Sequence, residues 1–430
     1  MNPIRVKVIS LGCSKNLVDS ERLMHMLKDA GLSLVTEENA PADVAIVNTC
    51  GFIGDAKEES INTILELARE KGDGKLSKIY VMGCLSERYR NELPAELPEV
   101  DGWYGKFDWP GVVEQMASIK PKQDSYDRHL TTGPHHAYVK IAEGCNRFCA
   151  FCAIPIITGR YHSRSIEDIE DEVKHLVSQG VRELNVIAQD LSAYGTDLYG
   201  RQAIGELIDR IAAVEGVKWI RLHYAYPAQF PMELLDAMQR NSNVCRYLDI
   251  ALQHIADPVL ANMRRHITSD ETRQLLAEIR RRVPGIHIRT TLMVGFPGEG
   301  EKEFDELLDF VKEQRFERMG AFAYCEEDDT YAARNFSDDI PQEVKDERLA
   351  QLMAVQEEIA LESNQAKVGQ TLEVVVDSEE DDYYVGRSQY DSPEVDPEVL
   401  IKKTRKLKEG EWIDVKITDA LPFELIGTPL

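Results

Sequence analysis

The stretch Gly144-Cys-Asn-Arg-Phe-Cys-Ala-Phe-Cys152 constrains this chain more than any other. It places three thiols, Cys145, Cys149 and Cys152, in one short loop with Cys-x3-Cys-x2-Cys spacing. Whatever the fold, it must hold that loop so that its side chains meet at one centre. Thiols this close, in a chain without a disulfide-scaffold pattern, read as metal ligands. A structural zinc site takes four closed ligands. A 4Fe–4S cluster normally takes one thiolate per iron, so three cysteines leave one iron free to bind a substrate or cofactor. The competing reading is a zinc knuckle completed from a distance, with His162 the nearest downstream histidine. No second Cys-x2-Cys pair exists to close such a site.

A chain of 430 residues has room for two or three domains with separate cores. At 43% hydrophobic and 29% charged residues, it has the composition of a soluble globular protein. The first residues run straight into a strand pattern without the apolar core of a signal peptide. No apolar run approaches the ~18 residues of a membrane span. Eight cysteines in such a chain are expected to be ligands or buried thiols, and the predicted location is cytoplasmic. The net charge of −25 repels phosphate backbones and favours basic partners, which argues against direct nucleic-acid binding and a general nucleic-acid binder.

Strands and helices alternate from Arg5 to Gly83. Strand patterns end at Cys13, Cys50 and Cys84, and the middle one, Asp43-Val-Ala-Ile-Val-Asn-Thr-Cys50, is nearly all apolar. Asp19-Ser20 is expected to cap a helix that carries Leu23, Met26, Leu27 and Ala30 and stops at Gly31. A second helix is expected to bury Ile61, Ile64, Leu65 and Ala68. The alternation predicts a doubly wound α/β domain, whose strand C-termini line one ligand-binding edge. Cys13, Cys50 and Cys84 lie more than 30 residues apart, yet each occupies such a strand end. The pattern predicts that they converge as a second three-thiolate cluster site; the alternative is three unrelated buried cysteines.

Pro121 to His136 reads as a linker. Six strand patterns follow, near residues 138–142, 184–188, 219–224, 247–252, 286–294 and 319–325, with helical patterns between them. These predict a full or partial (βα)6 barrel, with its site at the strand C-terminal face beside the cysteine loop. Gly295-Phe-Pro-Gly298 should form a turn at the same face. A long helix from about Pro341 leads into five short strands after Gly369, which fit a small antiparallel β-barrel of the OB type. From Ala366 onward, 15 Asp+Glu against 8 Lys+Arg leave a net −7. The basic run Lys402, Lys403, Arg405, Lys406 and Lys408 reads as a guarded strand edge rather than an RNA site.

The cysteine loop after the first barrel strand, with Phe151 before its last cysteine, resembles the signature of radical S-adenosylmethionine enzymes. Three cysteines in the first domain and a terminal barrel similar to a TRAM domain narrow the resemblance to the methylthiotransferases. Ser10-Leu-Gly-Cys-Ser-Lys-Asn-Leu-Val-Asp-Ser-Glu21, Asn48-Thr-Cys-Gly-Phe-Ile53, Lys140-Ile-Ala-Glu-Gly-Cys145, Gln189-Asp-Leu-Ser-Ala-Tyr-Gly195 and Tyr247-Leu-Asp-Ile-Ala-Leu-Gln-His254 resemble the RimO type, which modifies a ribosomal protein. The alternative, with the same chemistry on transfer RNA, is the MiaB type, which differs in these segments.

The resemblance implies an N-terminal methylthiotransferase domain at 1–125, a radical SAM core at 126–365 and a TRAM domain at 366–430. It implies two 4Fe–4S clusters, one on Cys13, Cys50 and Cys84 that carries sulfur, and one on Cys145, Cys149 and Cys152 that binds S-adenosylmethionine. Phe151, Gly295 and Pro297 would neighbour that cofactor, and no catalytic side chain is implied beyond the cluster ligands. The implied reaction starts with hydrogen abstraction from the β-carbon of an aspartate in the twelfth small-subunit ribosomal protein. Its implied partners are that basic protein and an electron donor such as flavodoxin or ferredoxin, with no membrane. Thr158-Gly159-Arg160 departs from the type in the place of its arginine, as do Ala251 and Cys325 in residue identity. Cys245 and Cys325 read as buried structural thiols.

Overall fold

The computed structural model describes residues 3–37, 40–118, 121 and 127–430. Most of the first half of the predicted linker, and with it the boundary expected at 125/126, lies outside the described residues.

The first unit is a five-stranded parallel sheet with order β2-β1-β3-β4-β5. Its strands are β1 (Arg5–Ser10), β2 (Ser33–Val35), β3 (Val44–Thr49), β4 (Lys78–Gly83) and β5 (Gly102–Trp103). Every residue of β3 is buried, as a strand covered on both faces requires. Val44 and Ile46 pack with Leu23, Met26 and Leu27 of helix α1 (Ser14–Asp29). Ala45 and Val47 pack on the other face with Ile64 and Leu67 of helix α2 (Gly54–Gly72). Two expectations need correction. α1 begins at Ser14, with Cys13 as its N-cap, so Asp19 and Ser20 are interior. Asp19 turns inward to two lysines instead of capping backbone N–H groups. On α2 the buried face runs through Ser60, Ile64 and Leu67, and Leu65 is exposed.

The second unit begins with β6 (His136–Lys140). A two-residue ribbon, β7 (Ala142–Glu143) with β8 (His162–Ser163), then brackets the cysteine loop. The sheet continues through β9 (Glu183–Ile187), β10 (Trp219–Ala225), β11 (Val244–Ile250), β12 (His287–Val294) and β13 (Arg318–Ala323). These six strands pair in parallel in the order β6-β9-β10-β11-β12-β13, an open partial barrel. Amphipathic crossover helices bury Ile169, Val173, Leu207, Ile211, Leu276 and Leu307 against it. The long helix Gln342–Gln365 adds Leu352 and Ile359.

The third unit is a closed barrel of β14 (Thr371–Glu379), β15 (Tyr383–Ser388), β16 (Glu398–Lys402), β17 (Trp412–Leu421) and β18 (Glu424–Pro429). Its pairings are antiparallel except that β16 and β18 run parallel, which is how the sheet closes. Val374, Val376, Val399, Ile401, Val415 and Ile417 fill it.

The three units stack along the axis of the partial barrel. The first covers the C-terminal ends of its strands, where Val18 of α1 packs on Tyr138 and Ile187. The third covers the N-terminal ends, through Trp219–Trp412 contact, Lys218–Glu373 and Arg387–Glu183. At ~3.3 Å per residue, even five-residue β9 separates the two ends by roughly 17 Å. Among the described residues no helix is long and apolar enough to cross a membrane.

Candidate metal centre

β1, β3 and β4 are adjacent in the first sheet, and Cys13, Cys50 and Cys84 follow their C-terminal ends. The strand order reverses between β1 and β3, where an open parallel sheet leaves a crevice for ligands. Two glycines show how closely the three ends approach. A Cβ placed on Gly12, which holds φ +87°, would lie 2.9 Å from Cys50 Sγ. One on Gly51 would lie 2.8 Å from the carbonyl carbon of Cys84. Either side chain would force the ends apart. Asn16, buried in the first turn of α1, ties them from the other side. Its Nδ2 donates to the carbonyls of Leu11 and Thr49, both at 3.0 Å. Its Oδ1 accepts from Lys106 Nζ at 3.2 Å and faces Cys84 Sγ at 3.6 Å.

The loop triad follows β7. The backbone of Ala150, in the middle of the loop, is pinned by a bond to the Met263 carbonyl at 2.9 Å and one from Ala332 N–H at 2.7 Å. Cys149 packs on Tyr226 and Ala228. Arg265, buried, directs Nη1 to Cys149 Sγ at 3.2 Å. The Tyr226 ring lies between Arg265 and Arg147, with each guanidinium carbon 4.2 Å from its centroid. Arg147 also donates Nε to Asp190 at 2.6 Å and its backbone N–H to Cys145 Sγ at 3.4 Å.

The two triads adjoin across the domain interface. Cys84 packs on Ala153 and Ile157, in the turn that follows Cys152. A buried chain of charge runs beside them. Lys106 pairs with Asp19 at 3.1 Å, Asp19 also pairs with Lys140, and Lys140 pairs with Glu143, which directly precedes Gly144-Cys145. On the opposite side, Arg88 and Lys57 of the first unit clasp Glu327 beyond β13, at 2.6 and 2.9 Å.

The donor set fits iron–sulfur clusters better than a single ion. Tetrahedral zinc with ~2.3 Å bonds to sulfur holds its thiolates about 4 Å apart. Among the described residues, the one histidine, cysteine or carboxylate trio whose donor atoms lie within 4.8 Å of one another is His135, His136 and Asp377. Asp377 there is already paired with Arg387 at 2.7 Å. Neither thiol triad is drawn up around one small ion. His162, the alternative fourth ligand, sits exposed on β8. Burial pushes the Cys84 and Cys145 thiols up to about 12 and raises Cys50 and Cys152 as well. Desolvation opposes Cys13 too, but Lys15, Lys106 and the N–H groups of Asn16 and Lys15 outweigh it and hold that thiol below its ordinary value. Thiols of this kind become ligating thiolates when a metal supplies the compensating charge.

The C-terminal end of the barrel is also shaped for a polar ligand. Asn185 Oδ1 and Nδ2, Gln189 Oε1, His223 Nε2 and Gln253 Oε1 are buried without a hydrogen-bond partner among the described residues. Phe148, Tyr224, Gln229, Gln253, Arg264 and His266 all hold left-handed backbone, a strain that concentrates at functional sites. Phe148, Gln229, Arg264 and His266, with Arg147, line a cavity of about 300 Å³ beside the loop.

Phe151 meets Phe296 edge-on, with ring centroids 6.2 Å apart, and so links the loop to the turn after β12. In that turn Gly295 N–H donates to Glu299 at 2.9 Å and the Pro297 carbonyl accepts from Asn262 at 3.1 Å. Those two backbone groups are thus committed within the protein. Arg160 is exposed over the Phe148 ring. Cys245 is buried beside Trp219 and Tyr247. Cys325 is exposed, against expectation. It follows β13 by two residues and lies past the barrel core, near Gly54 of the first unit. Residue patterns missed Lys15, Lys106, Asp19 and Arg265. The Lys-Asn-x-x-Asp spacing, which puts Lys15, Asn16 and Asp19 on one helical face, was the available signal for two of those four.

Three family models match the chain: uncharacterized protein family UPF0004 over residues 5–105, the radical SAM superfamily over 139–311 and the TRAM domain over 368–430. A curated relative from Parabacteroides distasonis, ribosomal protein uS12 methylthiotransferase RimO, is 56% identical over 100% of both chains. A second, from Phocaeicola vulgatus and of the same name, is 57% identical over 99% of both. Among solved structures, the radical S-adenosylmethionine methyltransferase TsrM from Kitasatospora setae, with cobalamin and a 4Fe–4S cluster bound, superposes with a TM-score of 0.57. It shares 14% identity over 77% of each chain, a likeness of fold alone. By full-length identity and by all three domain matches, the chain belongs to the RimO family of ribosomal protein uS12 methylthiotransferases.

Proposed function

We propose that the chain methylthiolates the β-carbon of an aspartate in ribosomal protein uS12, at a site between two thiol triads. The observation that carries this reading is the contact of Cys84 with Ala153 and Ile157, which sets the two triads side by side. Cys145, Cys149 and Cys152 would hold the cluster that binds S-adenosylmethionine, and Cys13, Cys50 and Cys84 the second cluster. When bound, these groups would supply a radical able to take hydrogen from an unactivated carbon and a sulfur to put in its place, with a second S-adenosylmethionine supplying the methyl group.

The chain's own residues prepare that centre. Arg265 places a fixed positive charge beside Cys149, and Lys106 places one beside Cys84. Asn16 fixes the distance between the strand ends. The α1 packing on Tyr138 and Ile187 covers part of the mouth. Phe151, Gly295 and Pro297 would wall the cofactor. We assign residues 1–125, 126–365 and 366–430 to the three units. The terminal barrel, net −7 and exposed at Glu379, Glu380, Asp381 and Asp382, suits a basic protein better than an anticodon arm. It covers the far end of the strands, so any contact with substrate there is remote docking. The electron that starts the reaction would come from a donor such as flavodoxin or ferredoxin.

The test uses reconstituted protein. Replacing Cys13, Cys50 and Cys84 by Ala should leave deoxyadenosine formation in place and abolish methylthiolation of uS12. Replacing Cys145, Cys149 and Cys152 should abolish both. Thiomethylation of transfer RNA with none of uS12 would contradict the substrate assignment.

A further inference from the structure

Every other buried lysine or arginine among the described residues hydrogen-bonds or ion-pairs within the protein; Lys15 does not. Lys106, Lys140, Arg221, Arg318, Lys345 and Arg387 have carboxylates, Arg265 has Cys149, and Lys367 has Ser363 and Asn364. Lys15 is 8% exposed, and its Nζ lies 3.4 Å from the centroid of the Tyr224 ring. A π face orients an ammonium but leaves its N–H donors unused. A buried charge in that condition is costly unless a ligand completes it.

Its place on the helix repeats the point. α1 is 16 residues long, has no acidic residue in its first turn, and puts Lys15 there instead. The open N–H groups of a helix start already favour an anion and repel a cation. Two sources of positive potential therefore coincide beside Cys13, where the first unit meets the end of β10.

We propose that Lys15 receives a carboxylate of the reactants, and that this carboxylate belongs to the aspartate side chain being modified. The assignment rests on the aspartate reading under Proposed function. A carbon that loses hydrogen to chemistry at the loop triad and gains sulfur from the Cys13 triad must lie between the two. In aspartate the carboxylate carbon is one bond from the β-carbon, so the carboxylate must lie there too. Lys15 comes from the Cys13 side of that gap. S-adenosylmethionine also has a carboxylate, and the experiment separates the two sources.

Binding of uS12, and of a uS12 whose target aspartate is replaced by asparagine, would be measured on wild-type holoenzyme, Lys15→Gln and Lys15→Arg. Affinity for S-adenosylmethionine and the midpoint potential of the Cys13 cluster would be measured on the same proteins. Lys15→Gln should bind the aspartate form about 100-fold more weakly and lose the preference for aspartate over asparagine, and Lys15→Arg should keep that preference. An aspartate preference that survives Lys15→Gln would overturn the assignment. So would a loss confined to S-adenosylmethionine affinity, which would make the carboxylate the cofactor's. A shifted cluster potential with unchanged substrate affinity would also overturn it, by making Lys15 a counter-charge to the cluster. Failure of the wild type to bind or modify uS12 at all would instead remove the functional reading beneath it.

Discussion

The two ends of the partial barrel differ in how completely they pair their buried charge. At the N-terminal end, each buried arginine has a carboxylate: Arg221 and Arg387 share Glu183, and Arg318 pairs with Asp391. Asp396 there takes the Tyr247 hydroxyl at 2.6 Å and pairs with Arg289. At the C-terminal end, Lys15 and Arg265 have none, and amide and imidazole atoms of Gln189, His223 and Gln253 are left without partners. One end pairs its buried arginines within the chain and holds a domain in place. The other is complete only around ligands. The same sheet thus separates a structural joint from a reaction site by the length of its strands.

The largest effect should come from breaking the complete end. Glu183→Gln leaves Arg221 and Arg387 short of their shared charge, which should cost about 3–5 kcal/mol, read as a lowered denaturation midpoint in urea. If stability does not change, the N-terminal end is not the joint described here.

Acid should loosen the same end first, with an effect of about 3 kcal/mol. Burial, and then Arg387, lower His136 to about 4. Its unfolded form takes up a proton near pH 6.5, so its contribution is present above that pH and is lost as pH falls towards 4. Glu172 is opposed by burial but held at about 2 by Arg164, Arg128 and Arg22. Its contribution persists above its ordinary value near 4.3 and disappears as pH falls towards 2. Stability measured against pH should therefore decline in two steps, the higher one reduced in His136→Gln, with His223 and His287, which burial also lowers, contributing the remainder.

A smaller loss, about 2 kcal/mol, is expected for Glu327→Gln at the clasp beside the site. Methylthiolation should fall there by more than deoxyadenosine formation does, because the loop triad lies wholly in the second unit and the other triad does not. Equal losses in both readouts would show that the clasp does not set the distance between triads.

Much of this architecture is legible in residue patterns. The apolar run from Val44 to Thr49 signals a doubly covered parallel strand, and three cysteines at strand ends signal their own convergence. What escapes is decided between units. Lys15 looks like a solvent-facing lysine until Tyr224 of another domain covers it. Asp19 looks like a helix cap because its partner Lys140 lies 121 residues away. Cys325 continues a strand pattern but emerges beyond the barrel's core. Nothing local to the terminal barrel says which end of the sheet it covers, since Asp377, Arg387 and Asp391 are ordinary surface residues until Glu183, His135 and Arg318 meet them.

The central claim is that two adjoining triads each carry a cluster, and an iron count tests it most directly. Anaerobic iron, sulfide and Mössbauer analysis should find about eight irons per wild-type chain, all in 4Fe–4S form. Each triple Cys→Ala protein should retain about four. Bound zinc, or a wild-type chain that saturates at about four irons, would contradict the account.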